Sequence, residues 1–208
     1  MTDGVVVYDC EIKRLVLPAG EERQDGVEYC AGWEDFTGMG ISCICALDVL
    51  QGRPRVFFED NFADFQELVA SSRVVVGFNN HRFDDRLCAA HGIWIRPEQS
   101  QDLMQIIWQA AGLGPAYQRD SHGDFTLDKL CRANFGDGKV VSGAMAPLWW
   151  QAGQYGRVAD YCLRDVMLTV QLLDIISTNG RVVDPRDTTK HIIIDPDAAA
   201  ALAWFSRG

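Results

Sequence analysis

Asp9-Cys10-Glu11 follows the apolar run Val5-Val6-Val7-Tyr8, which sets two carboxylates one residue apart at the end of a predicted buried strand. Residues two apart in a strand share a face, so Asp9 and Glu11 stand side by side with Cys10 turned away. Carboxylates rooted about 6–7 Å apart repel, and one pKa rises unless a cation sits between them. A divalent metal is the usual resolution. The plain alternative is that Glu11 lies past the strand in solvent, and the other acids of the chain have to be weighed against it.

Two further segments supply such acids. Arg157 to Ile176 reads as one long helix, with Val158, Tyr161, Cys162, Asp165, Thr169, Leu172, Leu173 and Ile176 on one stripe at spacings of three and four. Asp165 sits in the middle of that stripe, with Tyr161 one turn before it on the same face. A core-facing carboxylate is costly unless it is paired or bound to a metal; Arg164 or Arg157 is the ordinary partner. Earlier, Val74-Val75-Val76-Gly77-Phe78 reads as a short buried strand, and Asn79-Asn80-His81-Arg82-Phe83-Asp84-Asp85 as a turn opening a helix through about His91. Asp84 then falls in the first helical turn near the carboxyl end of the strand, where open α/β sheets bind ligands.

Asp-x-Glu on a first strand, Asn-x-x-x-Phe-Asp after a later strand and Tyr-x-x-x-Asp on a late helix resemble the three signature motifs of the DEDD superfamily of 3'-5' exonucleases. The tyrosine points to the DEDDy subclass, as in the proofreading domains of DNA polymerases. The resemblance spans about Val5 to Ile176 and implies an α/β, ribonuclease H-like fold. The expected sheet has five strands, an antiparallel meander of three plus parallel strands, flanked by helices. It carries the catalytic and metal-ligating acids onto Asp9, Glu11, Asp84 and Asp165, and a catalytic hydroxyl onto Tyr161. Residues 1–208 are expected to form a single domain, with 178–208 an extension of no assigned role. The stretches Gly32 to Gly40 and Trp150 to Gly153 are similar to stretches in stand-alone phage and bacterial members, which implies a stand-alone enzyme. The second motif is ambiguous in two respects: either Asn79 or Asn80 fits its asparagine, and Asp85 directly follows Asp84.

The implied activity is metal-dependent hydrolysis of phosphodiesters from a free 3' end, on single-stranded DNA or alternatively RNA. Two metals about 3.5–4 Å apart activate water, neutralise the phosphate and assist the leaving oxygen. Oxygen-only ligands fit Mg²⁺ or Mn²⁺ better than zinc. In relatives the residue matching Asp9 bridges both ions, those matching Glu11 and Asp165 hold one, and that matching Asp84 completes the other's shell. Without metal the cluster is strained, since two charges 4 Å apart at an effective dielectric of 20 cost about 4 kcal/mol. A phenol with a pKa near 10 is a poor base at neutral pH, so Tyr161 is read as orienting the nucleophile. The rival reading is a catalytically silent ribonuclease H-like module that binds nucleic acid or a protein.

Composition sets outer bounds. The chain has 208 residues, 48% hydrophobic and 23% charged, which suits a globular protein with a proper core. No apolar run approaches a membrane span, and Met1-Thr2-Asp3-Gly4 lacks a basic leader, so a cytoplasmic protein is expected. Seven cysteines without a Cys-x-x-Cys pair argue against a disulfide framework and a zinc site; Cys43 and Cys45 read as small core residues. The net charge of −10 argues against long-duplex binding and for a grip on a few terminal nucleotides. Candidate phosphate contacts are Lys13, Arg14, Arg82 and Lys139; Cys10, Ile12, Asn79, Asn80 and Phe83 complete the candidate substrate-binding set. Trp149 and Trp150 are expected to border the cleft or to pack in the core. Residues 112–124 and 134–147 read as loops.

Overall fold

The computed structural model describes residues 4–138 and 143–202. Five strands form the main sheet: β1 (Val5–Ile12), β2 (Ile41–Asp48), β3 (Arg53–Phe57), β4 (Val74–Gly77) and β5 (Ser100–Asp102). Their order is β3-β2-β1-β4-β5. The first three pair antiparallel, and β4 and β5 run parallel to β1. This is the ribonuclease H-like arrangement, and it puts β1 at the centre. A central strand buried on both faces needs an unbroken apolar run, which Val5 to Tyr8 supplies.

The pleat divides the core in two. Val5 and Val7, with Cys43, Cys45 and Leu47, face the layer built on the long helix Tyr155–Asn179, α8. Val6, Tyr8, Cys10 and Ile12 face the opposite layer, packed with Phe65, Val69 and Leu87. Asp9 and Glu11 therefore fall on the α8 face by simple alternation. The strand runs three residues beyond Asp9 because β2 pairs with it as far as Ile12, and Glu11 is only 8% exposed. Glu11 is thus inside the strand and out of bulk solvent. The β1–β2 register slips between Glu11 and Ile12, a bulge at the end of the ladder.

Nine α-helices are present among the described residues: α1 (Phe36–Met39), α2 (Phe62–Ser71), α3 (Asp84–Ala90), α4 (Leu103–Ala110), α5 (Arg119–His122), α6 (Leu127–Phe135), α7 (Met145–Gln151), α8 (Tyr155–Asn179) and α9 (Pro196–Leu202). The predicted loop at 112–124 holds the single turn α5, and the loop read at 134–147 is shortened by α6 and α7 at its two ends. Helix α6 has a Thr126 cap that accepts from the Lys129 N–H at 3.3 Å, and it buries Leu127, Leu130 and Cys131 at spacings of three and four. Helix α8 stops at Gly180, whose φ of 63° is the left-handed cap that glycine favours.

Beyond Gly180 the chain forms the hairpin β6 (Arg181–Val183) and β7 (His191–Ile193), then α9. Val182, Ile192, Ile194 and Leu202 are buried in the same core cluster as Val5 and Val7. The segment left without a role by the sequence therefore helps to close the layer that carries the acid pair.

Between β4 and α3 the chain turns sharply. A Cβ added at Gly77 would lie 2.6 Å from the Asn80 Cβ, so only glycine lets the turn fold back this tightly. Asn79 takes φ 68°, a conformation asparagine tolerates better than most residues. Gly77→Ala is expected to lower the melting temperature by about 3–10 °C, the range for an overpacked core site in a chain of this size. Thermal unfolding followed by circular dichroism checks it; an unchanged midpoint would mean that the turn relaxes freely.

Candidate metal centre

Asp9 is the one β1 residue that is not fully buried. Its carboxylate, that of Glu11 and the Cys162 thiol have ligand atoms within 4.8 Å of one another. Cys162 comes from α8, which packs across β1 and β2; its Sγ lies 3.3 Å from the Asp9 carbonyl oxygen and 3.6 Å from Asp9 Oδ2. Asp165, one turn further along α8, is 3% exposed and so faces the same interior. The two arginines named as its ordinary partners are engaged elsewhere. Arg164 pairs with Asp137, and the Arg157 guanidinium lies 4.3 Å from the centre of the Trp149 ring.

Asp84 reaches the site from the other layer. Strand β4 pairs with β1 only as far as Val7, so beyond that point the free edge of β1 needs another acceptor. The Cys10 N–H donates to Asp84 Oδ1 at 3.0 Å, between the two residues that carry the acid pair. Asp85 turns the opposite way. It accepts from the Tyr8 hydroxyl and from Ser100 Oγ at 2.7 Å, so it is a structural anchor and Asp84 is the acid beside the pair.

Burial pushes the Asp84 carboxyl up to about 7; the Cys10 N–H opposes the shift, and the charge of Asp85 adds to it. Asp102 supports the turn by accepting from the Asn79 N–H at 2.9 Å and from the Met104 N–H at 3.0 Å at the start of α4. Burial also raises its pKa.

The remaining candidates divide sharply. Asn79, Arg82 and Phe83 line a cleft of about 1020 Å³, together with Trp33, Phe78, Arg86, Tyr117, Phe125 and Gly143. Asn80 does not reach it: its side chain is fully buried and donates to Ser100 Oγ at 2.9 Å. Cys10 and Ile12 also fail as side-chain contacts, because the strand period turns both into the opposite core. Lys13 pairs with Glu59 at 2.7 Å and Arg14 with Glu28 at 3.0 Å. Lys139 lies outside the described residues. Trp149 is buried beside Tyr161, ring centres 6.0 Å apart, and Trp150 stacks on Phe58; neither lines the cleft. Tyr161 is half-buried, and a Cβ added at Gly143 would lie 3.4 Å from its hydroxyl.

Of the cleft aromatics the sequence marks Phe83 alone, and it does not mark the thiol beside the acids. Trp33 and Tyr117 sit outside any periodic element, so no pattern marks them. Cys162 was placed on the inner stripe of its helix without its neighbour across the sheet being known.

The donor set fits a hard divalent cation. Asp9 and Glu11 offer oxygens on one face, and buried carboxylates of like charge gain from a cation placed among them. Asp84 and Asp165 are the further oxygens that could complete its shell. Among the described residues no helix is long and apolar enough to cross a membrane.

No family model matches the chain, and no curated protein matches it either. Among solved structures, a family B DNA polymerase from the hyperthermophilic archaeon Pyrobaculum calidifontis is similar over 85% of this chain, with a TM-score of 0.54 and 15% identity. The chain spans about a quarter of that polymerase, 25% of its length. The likeness is one of fold.

The Asp84 shift has a sign that can be measured. Its carboxyl ionises near pH 7 folded but near 4 unfolded, so the folded state holds the proton longer. Stability from this group is full below about pH 4 and is lost as pH rises through about 7. In metal-free buffer with a chelator, Asp84→Asn is expected to gain in melting temperature relative to the parent as pH goes from 5 to 8. A constant difference across that range would show that Asp84 ionises normally.

Proposed function

We propose that this protein is a metal-dependent 3'-5' exonuclease of the Tyr-containing DEDD subclass, formed by residues 1–208 as a single domain. Its substrate on this reading is a free 3' end of nucleic acid, single-stranded DNA in preference to RNA. The observation that carries the reading is one hydrogen bond: the Asp84 carboxylate on the Cys10 N–H, which brings the second motif onto the first between Asp9 and Glu11. Helix α8 supplies Tyr161 and Asp165 on the same side.

Divalent Mg²⁺ or Mn²⁺, held by Asp9, Glu11, Asp84 and Asp165, would lower the pKa of water and offset charge on the phosphate. Asp9 is the most exposed of the four acids and so the one best placed to meet the substrate. The Tyr161 hydroxyl orients the attacking water. That water bonds to phosphorus as the bond to the 3' oxygen breaks, and the products are a 5'-mononucleotide and a shortened strand with a new 3' hydroxyl. The terminal bases enter the aromatic cleft, where Trp33 stands 66% exposed beside Phe83, with ring centres 6.4 Å apart. Such a surface stacks unpaired bases without reading their sequence. Arg82 in the cleft wall supplies a phosphate contact that the net charge of −10 otherwise withholds, whereas Arg86 beside it pairs with Glu34 at 2.6 Å.

Incubation with Mg²⁺ or Mn²⁺ and 5'-labelled single-stranded DNA is expected to give a ladder shortened from the 3' end. Asp9→Ala and Asp165→Ala abolish it, and Tyr161→Phe slows it within about a hundredfold. Tight binding without cleavage, or an Asp9→Ala variant as fast as the parent, would instead favour the silent binding module. Faster shortening of an RNA ladder would reverse the substrate preference.

Trp33→Ala is expected to weaken single-stranded binding by roughly 5- to 150-fold, the range for one lost base stack, with kcat nearly unchanged. The KM for a short oligonucleotide measures it, and an unaltered KM removes Trp33 from the substrate path.

A further inference from the structure

Three cysteines converge behind the acid pair. Cys43 and Cys45 lie on β2, and Cys162 lies on α8; all three are fully buried free thiols. Their sulfur atoms lie within 4.8 Å of one another. The register explains the placement: Glu11 pairs with Cys43 and Asp9 with Cys45 across β1 and β2, so the two thiols share the face of the two carboxylates. The usual role of a buried cysteine is that of a small apolar filler, and Cys30 and Cys131 fit it. Convergence of three sulfurs from two rigid elements goes further, because a trigonal thiolate site with metal–sulfur bonds of about 2.3 Å needs sulfurs roughly 4 Å apart.

We propose that Cys43, Cys45 and Cys162 bind one soft, thiophilic cation of the closed-shell d10 class, such as Zn²⁺, Cd²⁺ or Cu⁺. Thiolates select such ions over Mg²⁺ and Mn²⁺, so the two kinds of cation do not compete for the sulfurs. Asp9 Oδ2, 3.6 Å from Cys162 Sγ, is an oxygen within reach for a fourth ligand. An ion held this way ties α8 to β2 and fixes the helix that carries Tyr161 and Asp165 against the strand beside the acid pair.

Cd²⁺ alone, titrated into the whole protein, is the probe. The ultraviolet thiolate-to-metal charge-transfer band is expected to saturate at one ion per chain, with a rise in melting temperature. X-ray absorption of the loaded protein is expected to show three sulfur neighbours. Cys43→Ala and Cys45→Ala each weaken binding at least about tenfold, while Cys131→Ala leaves it unchanged. No band from the folded parent, fewer than three sulfur neighbours, or an undiminished band in both variants would overturn the proposal. The sulfur count needs no variant, so it decides the question even where an alanine substitution prevents folding. All of these readouts are independent of whether the acids cut phosphodiesters.

Discussion

The hydrogen bond from the Cys10 N–H to Asp84 is the joint on which the site depends. It exists because β1 outruns β4: the parallel ladder ends at Val7 and Val76, and the strand edge beyond must find an acceptor that is not backbone. A carboxylate fills that need at the cost of burying a charge. The fold thereby turns a backbone requirement into the placement of a third acid beside two others. Removing the acceptor would leave a buried N–H without a partner, a penalty of about 1–3 kcal/mol.

Charge is concentrated where the fold can least screen it. Asp84, Asp165 and Glu11 are all under a tenth exposed, and the chain as a whole carries −10. A protein built this way repels polyanions at long range and attracts cations at short range. The aromatic cleft is consistent with that balance, because stacking is indifferent to net charge whereas a basic groove would not be. Its two arginines are local exceptions, and Arg86 is already paired with Glu34.

Much of this was legible in the sequence, and the gaps have physical causes. The long helix and the facing of Asp9 and Glu11 follow from periods of 3.6 and 2 that local sequence carries, and the five-stranded sheet is what the resemblance of the three motifs implies. Asp84 is chosen over Asp85 only because Phe83 stands before it in the motif; the residues themselves do not separate the two, because neighbours differ in which layer they face, and that is set by Tyr8 and Ser100 far away in the chain. Asn80 was undecidable from Asn79 for the same reason. Trp149 and Trp150 look like cleft residues by type, but α7 turns one into the core and stacks the other on Phe58. The hairpin after Gly180 is too short to show a pattern; its place is set by Val182 and Ile192 meeting a core formed elsewhere. The thiol trio was split between two elements, and the lack of Cys-x-x-Cys spacing hid it.

The point at which β1 stops has an effect out of proportion to the single residue involved. With strict alternation, the residue two beyond Glu11 would point the same way as the acids, and that residue is Lys13. A lysine there would act as a tethered counterion, present at far higher effective concentration than any dissolved metal. Strand β1 stops at Ile12, so Lys13 leaves the pleat, and its ammonium is found on Glu59, 5.6 Å from the centre of the Trp150 ring. Ending the strand one residue short of Lys13 thus sends that ammonium to Glu59 instead of along the pleat toward the acids.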